Sequence, residues 1–288
     1  MEPGKASLVN THKILMKGLE TIMNPRKFAL LFATLTMMLI LYACGGGEQK
    51  TGETGEQKAP ETTGPVTQID PATAATVTGK ISYEGEKPKP RQIRMDAEAA
   101  CAALHKELVY SQEVEVHNNA LQYVFVYVKE GLGDKNFEVS KEPVTLDQRG
   151  CLYHPHVIGV QTGQPLKILN SDPTTHNIHP VPANNREWNK SMSPGVTPLE
   201  QTFPREEIMI PVKCNVHPWM KSYIGVVKHP FFAVSKEDGT FEIKGLPPGE
   251  YTIEAWHEKL GASTQKVTVG PKETKSVDFT FKAAAVIS

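Results

Sequence analysis

The side chains best suited to chemistry lie within one short stretch, KCNVHPWM at 213–220. Cys214, His217 and Met220 follow the spacing C-x-x-H-x-x-M and offer a thiolate, an imidazole and a thioether. This trio suits copper, because copper(I) favours sulfur and copper(II) favours nitrogen. The recurring blue-copper arrangement needs a second His beside the Cys, the first His and a long axial Met. The stretch therefore predicts a copper site if the fold brings another His close to it.

The composition limits the classes of protein to consider. The chain has 288 residues, enough for one or two domains, and its net charge of −1 gives no basic field for nucleic acid. Its 22 Gly and 22 Pro, together with short alternating segments, favour an all-β fold. The sequence contains no GxGxxG, P-loop or HExxH motif. The nearest approach to HExxH begins at His257 but has no second His, so we interpret it as the end of a strand.

The N-terminal region has the layout of an export signal. Arg26 and Lys27 precede an uncharged apolar run, 28–43, which is short for a membrane span of about 20 residues. The sequence LYACG at 41–45 resembles the bacterial lipobox. That resemblance implies a signal peptide over 1–43, cleavage before Cys44 and a lipid on the Cys44 sulfur. An uncleaved membrane anchor is the alternative.

Two expectations concern the flanks of this signal. Met23 is a better start than Met1 for such a signal, so we expect the first 22 residues to come from a mis-assigned translation start. Residues 44–75 carry almost no large apolar side chain and repeat Glu-Gln-Lys, which predicts a flexible tether. A lipid and a tether would hold the folded part outside the cytoplasm, facing the periplasm or the cell surface.

The four cysteines can be divided among three roles. With Cys44 assigned to lipid and Cys214 to metal, Cys101 and Cys151 remain. An exported protein meets oxidising conditions, so we expect these two to form a disulfide. In the chain-entropy model, a disulfide that closes the loop between these two residues would raise the free energy of unfolding by roughly 4 kcal/mol. Two separate buried thiols are the alternative.

Alternating apolar residues predict a series of short strands and little helix. Asn118-Asn119 is a hairpin signal, residues 97–108 are typical of a short helix, and 182–204 is typical of a loop. The predicted strands are 76–83, 112–116, 120–128, 152–160, 166–169, 207–211 and 223–227.

A candidate for the second imidazole lies upstream, in LKILNSDPTTHNIHP at 166–180, where a strand runs into a polar loop carrying His176-Asn177. With KCNVHPWM, this segment resembles the cupredoxins of the plastocyanin and amicyanin type. In that family an early loop supplies one His, and a late loop supplies Cys, His and Met. The resemblance covers 110–229 and implies a Greek-key β-sandwich.

The resemblance also implies the roles of individual residues. His176, Cys214 and His217 would be equatorial ligands of one mononuclear type 1 copper and Met220 the axial ligand. Asn177 would join the two ligand loops by hydrogen bonds.

Three further histidines lie near this region. His179 either points away from His176 or competes with it as the ligand. His154 and His156 are interpreted as surface or core imidazoles.

The expected activity is electron transfer and not catalysis. Four protein ligands leave no open position for a substrate. The resemblance implies a partly exposed His217 ringed by apolar residues, where redox proteins dock through a small interface. Pro218 and Trp219 are candidates for that docking surface, although Trp219 could instead be a lid over the copper.

The C-terminal segment, 230–288, forms a second region. Its sequence DGTFEIKGLPPGEYTIEAWH at 238–257 resembles the carboxypeptidase regulatory-like, or transthyretin-like, β-sandwich, which has no protease chemistry. TVTGKISYEGEKP at 76–88 resembles the opening strand of the same module. Either 76–88 packs with the C-terminal strands, with the copper domain between them in sequence, or two modules stand in tandem. Residues 76–109 would form this N-terminal strand and the short helix.

These observations predict a membrane-anchored type 1 (blue) copper electron-transfer protein. Its partners would be redox proteins, such as a cytochrome or a membrane oxidoreductase, and not nucleic acid. The alternatives are a non-redox cell-surface β-sandwich that binds other molecules and a lipoprotein that stores or delivers copper. A copper enzyme such as a nitrite reductase would need a second, open copper site, for which we find no ligand set.

Overall fold

The computed structural model describes residues 64–283, so the predicted signal, the lipid site at Cys44 and most of the tether lie outside the described residues. Among the described residues one helix, α1 (Ala99–Ala102), accompanies twenty-one strands, which confirms the all-β prediction. No helix in the described part of the chain is long and apolar enough to cross a membrane. The strands are β1 (Ala75–Glu84), β2 (Gln92–Ile93), β3 (Val109–Tyr110), β4 (Val116–His117), β5 (Ala120–Leu121), β6 (Phe125–Glu130), β7 (Val144–Arg149), β8 (Leu152–His154), β9 (Val157–Gln161), β10 (Leu166–Asn170), β11 (His176–Pro180), β12 (Lys190–Met192), β13 (Leu199–Gln201), β14 (Glu207–Lys213), β15 (Lys221–Val227), β16 (Phe232–Val234), β17 (Thr240–Leu246), β18 (Gly249–His257), β19 (Gly261–Val269), β20 (Thr274–Ser276) and β21 (Phe279–Lys282).

One sandwich joins the N-terminal strand to the C-terminal strands. Its first sheet has the order β17-β1-β5-β4, with β20 and β21 also pairing with β1, and its second has the order β16-β6-β18-β19. β1 runs antiparallel to β17, where Val77 faces Ile243, and parallel to β21, where Ile81 faces Phe279. These four side chains are buried in one apolar core, as the alternation of β1 requires. We call this unit the C-terminal sandwich.

The other sandwich carries the candidate ligands, and we call it the ligand sandwich. Its sheets have the orders β13-β10-β7-β8 and β12-β11-β14-β15-β9. The pairs β7–β10 and β9–β15 are parallel. Parallel strands are normally buried on both faces, and every residue of β9 is buried. The interior is filled by branched and aromatic side chains, among them Leu146, Ile168, Ile178, Ile210 and Ile224.

The boundary between the two sandwiches differs from the prediction of a copper domain over 110–229. β6 pairs with β16 and β18, so it belongs to the C-terminal sandwich, and the ligand sandwich begins at β7. The reason is that β6 is apolar on both faces. Val126 and Val128 fill the core of the C-terminal sandwich, whereas Phe125 and Tyr127 face the ligand sandwich.

Two glycines allow the sandwiches to pack closely. Gly159 of β9 and Gly225 of β15 face each other in register. A Cβ at Gly225 would lie 2.5 Å from the Phe125 ring, and a Cβ at Gly159 would lie 2.5 Å from the Phe232 ring. Both rings therefore rest directly on the backbone of the ligand sandwich.

The segment 92–110 crosses one end of the ligand sandwich, and we call it the strap. Its short strands β2 and β3 pair with each other, and α1 lies between them. The expected helix over 97–108 is thus only four residues long. Ile93, Met95 and Cys101 are buried in the same apolar core as Cys214 and Met220, so the strap is an integral cover of that end.

Three local predictions are refined by the structure. Asn118 and Asn119 form a hairpin turn between β4 and β5, with φ of 49° and 63° as a type I′ turn requires. The predicted strand 152–160 is divided into β8 and β9, which are separated by a cis His154–Pro155 bond. The predicted loop 182–204 contains the short strands β12 and β13.

Candidate metal centre

Two neighbouring strands position the candidate ligands. His176 is the first residue of β11, and Cys214 immediately follows β14. These strands are antiparallel neighbours, with His179 facing Lys213, so the start of β11 lies beside the loop that follows β14. That loop, 214–220, supplies the remaining candidates before the chain returns in β15.

Three ligand atoms converge inside the protein. The Nδ1 atoms of His176 and His217 are 2.9 Å apart, and the Cys214 sulfur is 3.8 Å from His217 Nδ1. All three side chains are almost fully buried: the exposed fraction is 0% for His176, 1% for His217 and 3% for Cys214. Metal bonds of about 2.0 Å to nitrogen and about 2.3 Å to sulfur would span both separations, so one ion fits between these atoms.

Met220, the proposed axial ligand, ends the same loop. It is fully buried in the apolar core that includes Cys214, and its amide donates to the His217 carbonyl at 2.9 Å. That hydrogen bond makes a tight turn of the last four residues of the loop. The axial candidate is therefore held in one loop with Cys214 and His217.

The surroundings of Cys214 favour the thiolate form of its side chain. It accepts hydrogen bonds from the amides of Asn177 at 3.3 Å and His217 at 3.4 Å. Burial by itself raises the pKa of this thiol, but the contact with His176 and these amide donors outweigh it, and the pKa lies below its ordinary value. A thiolate is the form in which Cys binds metal.

His176 has a carboxylate partner that the sequence analysis missed. Its Nε2 lies 2.8 Å from Asp172 Oδ2, and both side chains are buried. Burial by itself lowers the pKa of His176, but the hydrogen bonds and charges of Asp172 and Cys214 together outweigh burial and raise the pKa to about 9. An acidic residue four positions before the His was visible in the sequence, but only the turn between β10 and β11 brings the two side chains together.

The second histidine, His217, is covered. The Cys101–Cys151 disulfide is present, and the Cys101 sulfur lies 3.5 Å from His217 Nε2. The Trp219 ring lies 5.1 Å from the His217 ring, and its Nε1 donates to the Cys151 carbonyl at 3.0 Å. The expectation of a partly exposed His217 is therefore wrong, because the strap, the disulfide and the indole occupy that side. Pro218 is exposed and Trp219 half-buried.

Asn177 links the two ligand loops through its main chain. Its amide donates to the Cys214 sulfur, whereas its side chain donates to Asn189 at 3.1 Å. The expected link is therefore made by backbone and not by the carboxamide.

The other histidines lie outside the ligand group. His179 contacts Asn215 at 2.9 Å and Glu187 at 2.6 Å. His154 is half-buried against the Arg149 carbonyl, and His156 is paired with Glu258 in a buried position.

A known domain family matches the C-terminal part of the chain. Residues 226–282 match the carboxypeptidase regulatory-like domain, and no curated protein matches the chain. A copper-containing nitrite reductase from Thermus scotoductus SA-01 is 19% identical with a TM-score of 0.29, over 32% of this chain and 24% of that one. The chain thus spans about a quarter of the length of that reductase.

Two smaller copper proteins are also similar. The oxidised state of an amicyanin mutant is 21% identical with a TM-score of 0.27, over 31% of this chain and 86% of that one. A purple cupredoxin from Nitrosopumilus maritimus is 20% identical with a TM-score of 0.25, over 29% of this chain and 98% of that one. Likenesses of this strength carry no argument about function, which has to come from the site itself.

Proposed function

We propose that this chain is a copper electron-transfer protein with one mononuclear type 1 site. The observation that carries the proposal is the convergence of His176 Nδ1, His217 Nδ1 and the Cys214 sulfur in a buried group. Two imidazoles and one thiolate are the donors of blue-copper sites. Met220 would be the weak axial donor at the end of the same loop.

The residues around the ligands support electron transfer because they hold the ligands in place. Asp172 fixes the His176 ring, two amides fix the Cys214 sulfur, and Trp219 and Cys101 pack against His217. A bound copper ion would supply one-electron redox chemistry. Ligands that move little between the two oxidation states keep the reorganisation of the site small, and their burial excludes water and substrates.

The setting we propose is that of an exported, lipid-anchored carrier outside a bacterial membrane. Cys44 would carry the lipid, and a redox protein would approach the face that presents Pro218 and the open side of Trp219. This chain would not itself be an enzyme, because its own four side chains would complete the coordination of the metal.

The test is addition of copper(II) to the metal-free folded protein. We expect an intense visible absorption from thiolate-to-copper charge transfer, which Cys214→Ser abolishes. His179→Gln is the matched control, because His179 is a nearby imidazole outside the ligand group, and it should leave the absorption unchanged. A colourless wild type, or the same absorption in Cys214→Ser, would contradict the proposal and leave the non-redox binding module.

Voltammetry of the copper-loaded protein separates a carrier from a protein that stores or delivers copper. We expect reversible oxidation and reduction with copper retained through repeated cycles. Loss of copper on each reduction would instead favour storage or delivery.

A further inference from the structure

Asp172 is a buried carboxylate with three hydrogen-bond donors. Its Oδ1 accepts from the Gly150 amide at 2.6 Å, and its Oδ2 accepts from the Cys151 amide at 2.7 Å and pairs with His176 Nε2 at 2.8 Å. The side chain is only 2% exposed. A carboxylate is rarely buried unless it is paired, and here the pairing is with a candidate ligand and with the turn next to the disulfide.

The contact fixes the His176 ring. An ionised carboxylate can only accept, so Nε2 donates its proton to Asp172, and in the neutral ring Nδ1 is then the nitrogen with a free lone pair. Nδ1 is the atom that faces His217 and Cys214. A carboxylate hydrogen-bonded to the remote nitrogen of a metal-bound His also makes that imidazole a stronger donor.

We propose that Asp172 is a positioning residue that favours copper(II) over copper(I) at this site. The proposal rests on the proposed function. A negative charge buried behind His176 interacts more strongly with the doubly charged ion than with the singly charged one, and burial preserves that difference because little water screens it. The stronger imidazole donor acts in the same direction, since copper(II) is the oxidation state that favours nitrogen.

A purely structural role makes a different prediction. Asp172 also accepts the amides of Gly150 and Cys151, which both have positive φ, so it could serve only to hold that turn. If Asp172 only held the turn, its replacement would lower the stability of the protein and would weaken the binding of copper(I) and copper(II) by the same factor. The ratio of the two copper affinities therefore distinguishes a charge that acts on the metal from a brace for the turn.

The experiment uses Asp172→Asn, which keeps the shape of the side chain and removes its charge. Competition with chelators measures the copper(II) and copper(I) affinities separately in the folded, disulfide-bonded protein. We expect the copper(II) affinity to fall by about 10- to 100-fold, as for other residues that orient metal-bound His, and the copper(I) affinity to fall much less. Asp147→Asn is the control, since Asp147 accepts from Ser171, the neighbour of Asp172 in sequence, and has no hydrogen bond to a candidate ligand.

Equal losses in the two oxidation states, or no loss, would overturn the proposal. If Asp172→Asn does not fold, Asp172→Glu takes its place, because it keeps the charge and should keep the wild-type ratio of affinities. A tenfold change of that ratio in Asp172→Glu would overturn the proposal as well. A wild type that binds neither copper ion would overturn the proposed function itself, whereas binding with equal losses would overturn only the role of Asp172.

Discussion

Removal of the disulfide should destabilise the ligand sandwich and uncover His217 in one step. In Cys101→Ala/Cys151→Ala the bond that closes a 50-residue separation is lost. The chain-entropy relation gives about 4 kcal/mol for a loop of that length. At about 2–4 °C per kcal/mol for a protein of this size, the midpoint of thermal unfolding should fall by about 8–16 °C.

The assay is thermal unfolding of the metal-free protein, followed by circular dichroism. Wild type treated with a dithiol is the matched control. Its unfolding midpoint should fall to that of the double variant, whereas the dithiol should not change the midpoint of the double variant. A second readout is access to the site. Because the Cys101 sulfur lies against His217 Nε2, the copper-loaded variant should be open to small anions that the wild type excludes.

Two results would refute this reasoning. A midpoint that falls by less than about 2 °C would mean that the strap is held by its apolar contacts, among them Ile93 and Met95, and not by the cross-link. A large fall without any new access for anions would mean that Trp219 alone covers His217.

Two further predictions concern the C-terminal sandwich and its packing against the ligand sandwich. The buried His257 accepts the amides of Lys259 and Leu260 on Nδ1, and burial lowers its pKa to about 4. Because its pKa in the unfolded chain is about 6.5, only the unfolded chain takes up the proton between these values, and about 3 kcal/mol of stability should be lost as the pH falls from 6.5 to 4. Denaturant titrations at several pH values measure this loss, which should shrink in His257→Gln; an unchanged pH dependence in that variant would contradict the assignment. Gly225→Ala should lower the free energy of unfolding by about 1–3 kcal/mol, because the new Cβ would lie 2.5 Å from the Phe125 ring. Denaturant unfolding measures that cost, and addition of Phe125→Leu should recover part of it; a neutral Gly225→Ala would show that the junction is loosely packed.

Local signals in the sequence predicted much of the fold. Asn118-Asn119 predicted a hairpin because both residues tolerate the positive φ of a type I′ turn. The alternation of β1 predicted a half-buried strand, and its likeness to the same module as 238–257 led us to expect either packing with the C-terminal strands or two modules in tandem. The structure pairs β1 with β17, β20 and β21. The spacing of Cys214, His217 and Met220 likewise singled out the loop at which the candidate ligands meet.

The surroundings of the site could not be predicted, because they depend on contacts between distant segments. The cover over His217 comes from Cys101, more than a hundred positions earlier in the chain. The contact between Asp172 and His176 depends on a turn whose conformation the residue types do not specify. β6 was assigned to the wrong sandwich because a strand that is apolar on both faces gives no alternation to indicate its neighbours.

The position of β1 also has a consequence for how the chain is completed during synthesis. β1 lies between β17 on one side and β20 and β21 on the other, and Lys80 faces Thr240. Synthesis at about 5–20 residues per second would leave β1 without β17 for about 8–30 s and without β21 for about 10–40 s, while the ligand sandwich, complete at Val227, can already fold. During that interval β1 presents free backbone groups and apolar side chains, which invite pairing with another chain. The strands β17, β20 and β21 thus decide whether β1 is enclosed, and a chain that stops before Phe279 would leave residues 81–84 of β1 without their partner on one side.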